Sequence, residues 1–293
     1  MDYIDLHVHS NVSDGTKTPS ELVSYAYEKH LKAFALTDHD TVDGVKEAVE
    51  AAKALATAEY ELEVIPGVEI SAAYKGKDIH ILGLYLDYTD ETLVSTLHQV
   101  ADERKRRNEK MLSNLNNAGI AITMNDITDG NPDAVITRAH FAKALLKKGY
   151  VSAIKDAFTK YLDASGPYYV PREYLSPKTA IELILSAGGI PALAHPLLYK
   201  LSQSELKNLV KELKSYGLQG IEAVYSCNIG LDESFVRSIA RENDLTVTGG
   251  SDYHGSVKPD IDLGTGRGNL KVQAFLLDDL KKLEHANKKS RII

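Results

Sequence analysis

The sequence predicts an α/β fold: a parallel sheet or barrel interrupted by a helical segment. Three observations carry that prediction. Short apolar runs alternate with helical patterns across brief connections, as in sheets whose strands are linked by helices. The alternation breaks off over a long polar stretch and then resumes. Histidines and acids gather at the ends of apolar runs, where the strands of such sheets present functional groups.

Residues 3–8 read as a strand. Thr18-Pro19-Ser20-Glu21 opens a helix: Thr18 caps, Pro19 suits the first helical position and Glu21 completes a capping box. Residues 32–37 form a second strand and 42–58 a helix rich in Ala, Glu and Lys, with further strands at 62–70 and 79–86. From residue 91 the pattern turns polar and helical, with Arg104-Lys105-Arg106-Arg107 inside it. Beyond Pro177 come a helix at 179–187, a strand at 190–194, a helix at 204–216, a strand at 221–225, a helix at 233–242 and a strand at 246–249. The expected division is a first barrel part at 1–90, a helical insertion domain at 91–175 and a second barrel part at 176–293.

The 293 residues, 43% hydrophobic, suit one large domain or one carrying an insertion. No stretch approaches the roughly 18 apolar residues of a membrane helix. The opening MDYIDLHVHS has neither the basic nor the apolar region of a signal peptide. The lone Cys227 leaves no intramolecular disulfide and suits a reducing compartment, so the expected location is cytoplasmic. A net charge of -7 is a poor footprint for long duplex nucleic acid. A short or single-nucleotide ligand stays compatible with it, because a metal cluster supplies positive charge locally.

The chemistry sits in six short motifs. His7-Val8-His9 closes the first strand, and residues two apart in a strand share a face, so both imidazoles project together. Asp14 follows in a short polar loop. Thr37-Asp38-His39-Asp40 ends the second strand: His39 is the candidate ligand, Asp40 or Thr41 the expected helix cap, and Asp38 an expected outer partner of a histidine. Glu69 ends the apolar run 62–70, where a carboxylate bridging two metals explains it well. His80 lies between isoleucines, where a packed core histidine is the alternative. His195-Pro196 ends another strand, and Asp252 and His254 follow the paired glycines Gly249 and Gly250. Burying six histidines and three carboxylates is costly without cations. No cysteine takes part, and mixed imidazole and carboxylate ligands suit Mn, Zn or Fe.

In this order, the motifs resemble the polymerase and histidinol phosphatase (PHP) family. The resemblance covers His7-Val8-His9-Ser10, Ser13-Asp14-Gly15, Thr37-Asp38-His39-Asp40, Gly67-Val68-Glu69, His80, His195-Pro196 and Ser251-Asp252-Tyr253-His254. It implies a distorted seven-stranded β/α barrel with three divalent metal ions. One would take His7, His9, Glu69 and Asp252; a second Glu69, His80 and His195; a third Asp14, His39 and His254. Glu69 would bridge the first two. The insertion, with Ile136-Thr137-Arg138-Ala139-His140, looks like the stand-alone branch, which includes nucleoside 3',5'-bisphosphate phosphatases and 5'-to-3' exoribonucleases acting on short RNA. Arg138 and His140, two apart at a helix entry, are candidates for clamping a phosphate. An exposed arginine and a packed histidine are the alternative.

The expected activity is hydrolysis of a phosphate ester by water activated between two metals, with Asp252 or His254 moving protons. The expected partner is a small phosphorylated substrate, a nucleotide or short RNA, with no membrane. Histidinol phosphate phosphatase, an amidohydrolase and a non-catalytic accessory module are the rivals. His30, His98 and His285 are expected at the surface, Arg104–Arg107 on a solvated helix face, and Cys227 inert. Tyr225, Ser226 and Asn228 follow a strand, where one of them would touch substrate, and Tyr168 and Tyr169 are either packing or base-stacking residues.

Overall fold

A computed structural model describes residues 2–58, 60–130, 136–171 and 175–290. It divides into two compact units, Met1–Thr96 with Tyr174–Ile293, and Leu97–Glu173. In the first unit the strands are β1 (Ile4–Val8), β2 (Ala33–Leu36), β3 (Glu63–Tyr74), β4 (Lys77–Leu84), β5 (Ile190–Leu193), β6 (Gly220–Tyr225) and β7 (Thr246–Gly250). Among the described residues the α-helices are α1 (Pro19–Glu28), α2 (Val45–Leu55), α3 (Glu91–Asn117), α4 (Met124–Thr128), α5 (Arg138–Lys147), α6 (Ile154–Lys160), α7 (Pro177–Ser186), α8 (Gln203–Ser215), α9 (Asp232–Glu242) and α10 (Leu276–Ser290).

The strands form one seven-stranded sheet in chain order. Its ends meet: His9 N–H donates to Tyr253 O at 3.0 Å and Asp252 N–H to His7 O at 2.9 Å, which nearly closes a barrel. The sheet is mixed, not parallel throughout. β3 and β4 pair antiparallel, as do β4 and β5. The reason is local. β3 runs four residues past the expected end at Ile70, to Tyr74, and β4 starts at Lys77. Lys75 and Gly76 alone connect them, at φ 48° and 76°. That is a two-residue turn with both residues left-handed, which closes hairpins and cannot serve as a parallel crossover. The reversal brings the first half of β4, with His80 opposite Ser71, to the end of the sheet where the parallel strands finish.

The expected capping box opens α1: Thr18 Oγ1 accepts Glu21 N–H at 3.1 Å and Glu21 Oε2 accepts Thr18 N–H at 2.8 Å. β1 is buried on both faces. Ile4 and Leu6 join Ala33, Ala35, Ile65 and Leu84 in a core that Leu277 and Leu280 of α10 complete. α10 has no counterpart in the sequence reading. Asp5 and His7 lie on the opposite face. Gly250 lets the closing strands approach, because a Cβ there would lie 2.4 Å from His7 Cβ and 2.5 Å from His7 N.

The second unit has its own core, with Met111 and Leu115 of α3 against Phe141, Ala142 and Leu145 of α5. Arg104 is buried there, and Arg107 Nε donates to Val170 O at 2.9 Å. The expected solvated face holds only for Lys105 and Arg106, which are exposed. Arg104 and Arg107 fall on the helix stripe that continues to Asn108 and Met111.

Gly250→Ala is expected to lower stability by roughly 1–3 kcal/mol, the usual cost of forcing extra volume into a packed contact. The measure is urea unfolding. An unchanged midpoint would show that the approach of β7 to β1 yields without strain.

Candidate metal centre

The nine predicted ligands form one network in the first unit, and its hub is Glu69. Glu69 Oε2 lies 3.3 Å from His7 Nε2, 3.2 Å from His9 Nε2 and 3.0 Å from His39 Nδ1. Glu69 Oε1 lies 2.9 Å from both His80 Nδ1 and His195 Nε2. A second focus is Asp14, with His254 Nε2 at 3.1 Å, and His9 Nδ1 and His39 Nε2 each at 3.8 Å. Asp252 Oδ1 reaches His254 Nδ1 at 3.3 Å, His9 Nε2 at 3.5 Å and His7 Nε2 at 3.7 Å.

Strand geometry supplies this convergence. His7 and His9 share a face of β1 and its extension. Glu69 is in mid-strand, not at a strand end, because β3 continues past it, and His39 bridges to it from the loop after β2. Three non-glycine residues at the site are left-handed: Asp40 at φ 53°, His195 at 25° and Asp252 at 58°. Each turns the chain as a strand ends, and such conformations persist only where surrounding contacts enforce them.

Those contacts come from an outer layer that sequence reasoning largely missed. Glu222, buried in β6, accepts from His7 Nδ1 at 3.0 Å and from His195 N–H at 2.7 Å. Asp5 accepts backbone N–H from Ser251 and Gly264, each at 2.8 Å. Tyr199 donates its hydroxyl to Ala194 O at 2.6 Å and accepts from His80 N–H at 3.0 Å. Tyr225, the last residue of β6, donates to Asp252 Oδ2 at 2.7 Å. Lys258 donates to the same oxygen at 2.7 Å. The available signal was an acid inside an apolar strand, which marks Asp5 and Glu222 as it marks Glu69.

Two expectations are corrected. Asp38 holds no histidine: it accepts from Ser10 N–H, Ser10 Oγ–H and Ser13 Oγ–H at 2.8, 2.6 and 2.5 Å, fixing the loop that carries Asp14. Neither Asp40 nor Thr41 caps α2, whose N-cap is Gly44. Asp40 instead accepts from Ser71 N–H at 2.8 Å, tying the loop after β2 to β3. His30, His98 and His285 are exposed, as expected.

The donor set fits cations. His7 Nε2, both nitrogens of His9 and Glu69 Oε2 are buried without a hydrogen-bond partner among the described residues. Such atoms are expensive to leave unsatisfied. Potential ligand atoms gather within 4.8 Å of one another in three groups: His9, Asp14, His39 and His254; His7, His9 and Glu69; His39, Glu69 and His80. His195 and Asp252 touch these groups from the side.

Electrostatics favours the metal-binding form of Glu69 and His9 and opposes it at His80. Burial pushes the Glu69 carboxyl up, but His39, His80 and His7 outweigh it and hold it well below the usual carboxylate range. Burial, with His254 and His39, keeps His9 well below the usual imidazole range, so it is neutral. Burial opposes charge on His80, yet Glu69 and Asp78 prevail and raise it to about 10.

The second unit holds Arg138 and His140 at the start of α5. Arg138 is half-buried, with its guanidinium 5.7 Å from the Tyr169 ring centre. His140 Nδ1 accepts Thr137 N–H at 3.1 Å, so it closes the helix start. Tyr168 packs against the core of this unit.

A nearly closed mixed barrel around a histidine and carboxylate cluster is the setting of a metal-dependent hydrolase, and the family match and relatives make it one of phosphoric esters. Residues 5–173 match the PHP domain, and the chain belongs to that family. It is 38% identical over 251 residues to a 5'-3' exoribonuclease of Haemophilus influenzae, covering 85% of this chain and 89% of that protein. It is 34% identical over 271 residues to a 3',5'-nucleoside bisphosphate phosphatase of Chromobacterium violaceum, covering 90% and 91%. A solved structure from Bifidobacterium adolescentis, assigned as a metal-dependent phosphoesterase, superposes with TM-score 0.80 at 30% identity, covering 96% of each chain.

His80 yields a pH prediction. Its raised pKa means that its charge stabilises the metal-free fold below the ordinary imidazole pKa, and that this contribution is lost as pH climbs through about 10. A cation needs neutral rings, and His7 is raised as well as His80, so loading at pH 7.5 is expected to release at least about two protons per chain, and affinity to rise with pH. Calorimetry in buffers of different ionisation enthalpy reads this directly. Loading without proton release would show that His80 is neutral beforehand or stays out of the metal shell.

Proposed function

We propose that the chain hydrolyses a phosphate ester of a 3',5'-bisphosphate nucleotide, or of the 5' end of short RNA, with three divalent cations of the Mn, Zn or Fe kind. The observation that carries this reading is Glu69, whose two oxygens lie within 3.3 Å of nitrogens from five histidines. The named relatives, similar over most of the chain, support the substrate class. We assign His7, His9, Glu69 and Asp252 to one cation, Glu69, His80 and His195 to a second, and Asp14, His39 and His254 to a third.

When bound, such cations supply Lewis acidity, an activated water and countercharge for phosphate oxygens. The remaining work belongs to the chain. Glu222 fixes the His7 ring by accepting from Nδ1, so Nε2 faces inward. His254 Nδ1 donates to the Asp252 carbonyl at 2.9 Å, which turns its Nε2 toward Asp14. Asp252 and His254 border the same space and are the groups we assign to proton movement. Arg138, with His140, is assigned to a second phosphate, which would distinguish a bisphosphate from a monophosphate.

None of the described helices is long and apolar enough to cross a membrane. With a single cysteine, this suits a cytoplasmic reaction on a small diffusible substrate.

Chelator-stripped protein restored with Mn²⁺ is expected to release phosphate from adenosine 3',5'-bisphosphate faster than from 5'-AMP or histidinol phosphate. Release from histidinol phosphate alone would contradict the nucleotide reading. Arg138→Ala is expected to slow bisphosphate turnover by at least about tenfold more than 5'-AMP turnover, the scale of one charge-assisted contact. Equal losses on both would remove Arg138 from phosphate recognition.

A further inference from the structure

Asp252 presents its two oxygens to different surroundings. Oδ1 faces the imidazoles of His254, His9 and His7 at 3.3, 3.5 and 3.7 Å. Oδ2 takes two donors, the Tyr225 hydroxyl and the Lys258 ammonium, each at 2.7 Å. Tyr225 ends β6, and Lys258 lies six positions beyond Asp252, after the short helical turn Gly255–Val257. The two donors therefore come from separate parts of the fold and meet on one atom.

The terminal torsion of an aspartate is soft, so a carboxylate can turn either one oxygen or both toward a cation. Two donors on Oδ2 occupy its lone pairs and leave Oδ1 alone facing inward. Tyr225 by itself would satisfy a buried oxygen. A second donor that carries positive charge is a poor choice beside a cation site, since like charges repel. Its presence makes sense if the orientation of Asp252 matters more than the charge nearby. Lys258 is a third exposed (34%) and belongs to none of the hydrophobic core clusters.

We propose that Lys258, together with Tyr225, is a positioning residue that makes Asp252 present Oδ1 alone to the cation site. The activity part of the test rests on the phosphoester hydrolysis proposed above; the binding part does not.

The experiment compares wild type, Lys258→Ala, Lys258→Arg and Tyr225→Phe. Mn²⁺ is titrated calorimetrically into stripped protein, and phosphate release from adenosine 3',5'-bisphosphate is followed at saturating Mn²⁺. Lys258→Ala and Tyr225→Phe are each expected to weaken Mn²⁺ binding about tenfold, the low end for losing an outer hydrogen bond to a ligand, while Lys258→Arg stays within about threefold of wild type. kcat at saturating metal should fall for Lys258→Ala and be restored in Lys258→Arg, with the metal-free unfolding midpoint unchanged. Binding of Mn²⁺ by Lys258→Ala as tightly as wild type, or more tightly, would overturn the proposal, because it would leave Lys258 only its charge. Normal Mn²⁺ binding by wild type without phosphate release would sink the proposed activity and leave the binding comparison valid.

Discussion

The burial of Glu69 is the constraint from which the rest of the site follows. A carboxylate 1% exposed, deep in a barrel, is unfavourable unless positive charge surrounds it. Five imidazoles approach it, but they cannot all be protonated beside one another. His9 is held neutral while His7 and His80 are raised, so the cluster divides its charge unevenly. Neutral imidazoles with inward nitrogens and a carboxylate ionised well into acid are the combination that a divalent cation completes. The metal-free cluster is thus a compromise among its own groups, with buried atoms left unpaired.

The fold is arranged to make that cluster possible. β1 and its extension supply His7 and His9 on one face, and the hairpin of β3 and β4 brings Glu69 and His80 to the same end of the sheet. Left-handed residues at Asp40, His195 and Asp252 turn the chain where loops leave the strands. Each is held by a particular bond. Asp40 grips Ser71, His195 N–H is taken by Glu222, and Asp252 N–H closes on His7 O. Strain at a functional residue persists only under such over-determination. Asp5, Asp38 and Glu222 form a second acidic layer that orders backbone and rings around the first. For Asp5 and Asp38 burial is the larger effect, raising each to about 6 in spite of their hydrogen bonds.

Much of this was legible in the residues, and the limits have physical causes. The period-two spacing of His7 and His9, the acid at Glu69 and the strand ends before His195 and Asp252 are local patterns that burial in a strand preserves. The capping box at Thr18 is likewise local. The antiparallel hairpin was hidden because Ser71–Tyr74 continues β3 through small and polar residues that look like a loop. Glu222 was read only as part of a strand, since nothing local says which buried histidines it will meet 27 and 215 positions away. Lys258 sits in an irregular loop without periodicity, and its contact with Asp252 depends on how that loop folds back. α10 is polar on most of its surface, and its core contacts rest on few leucines. Arg104 and Arg107 look solvated in a charged run, but their place on the helix turns them inward.

The central claim is that cations complete a cluster organised by Glu69. The most direct measurement is the thermal unfolding of stripped wild type and of Glu69→Gln, each with and without Mn²⁺. At about a hundredfold excess over Kd, binding to the folded state is worth ~2.7 kcal/mol, so the wild-type midpoint should rise by about 5–10 °C while the Glu69→Gln midpoint rises by less than half as much. An equal rise in both proteins would contradict the account, because the cations would then be held without the carboxylate around which the five histidines gather.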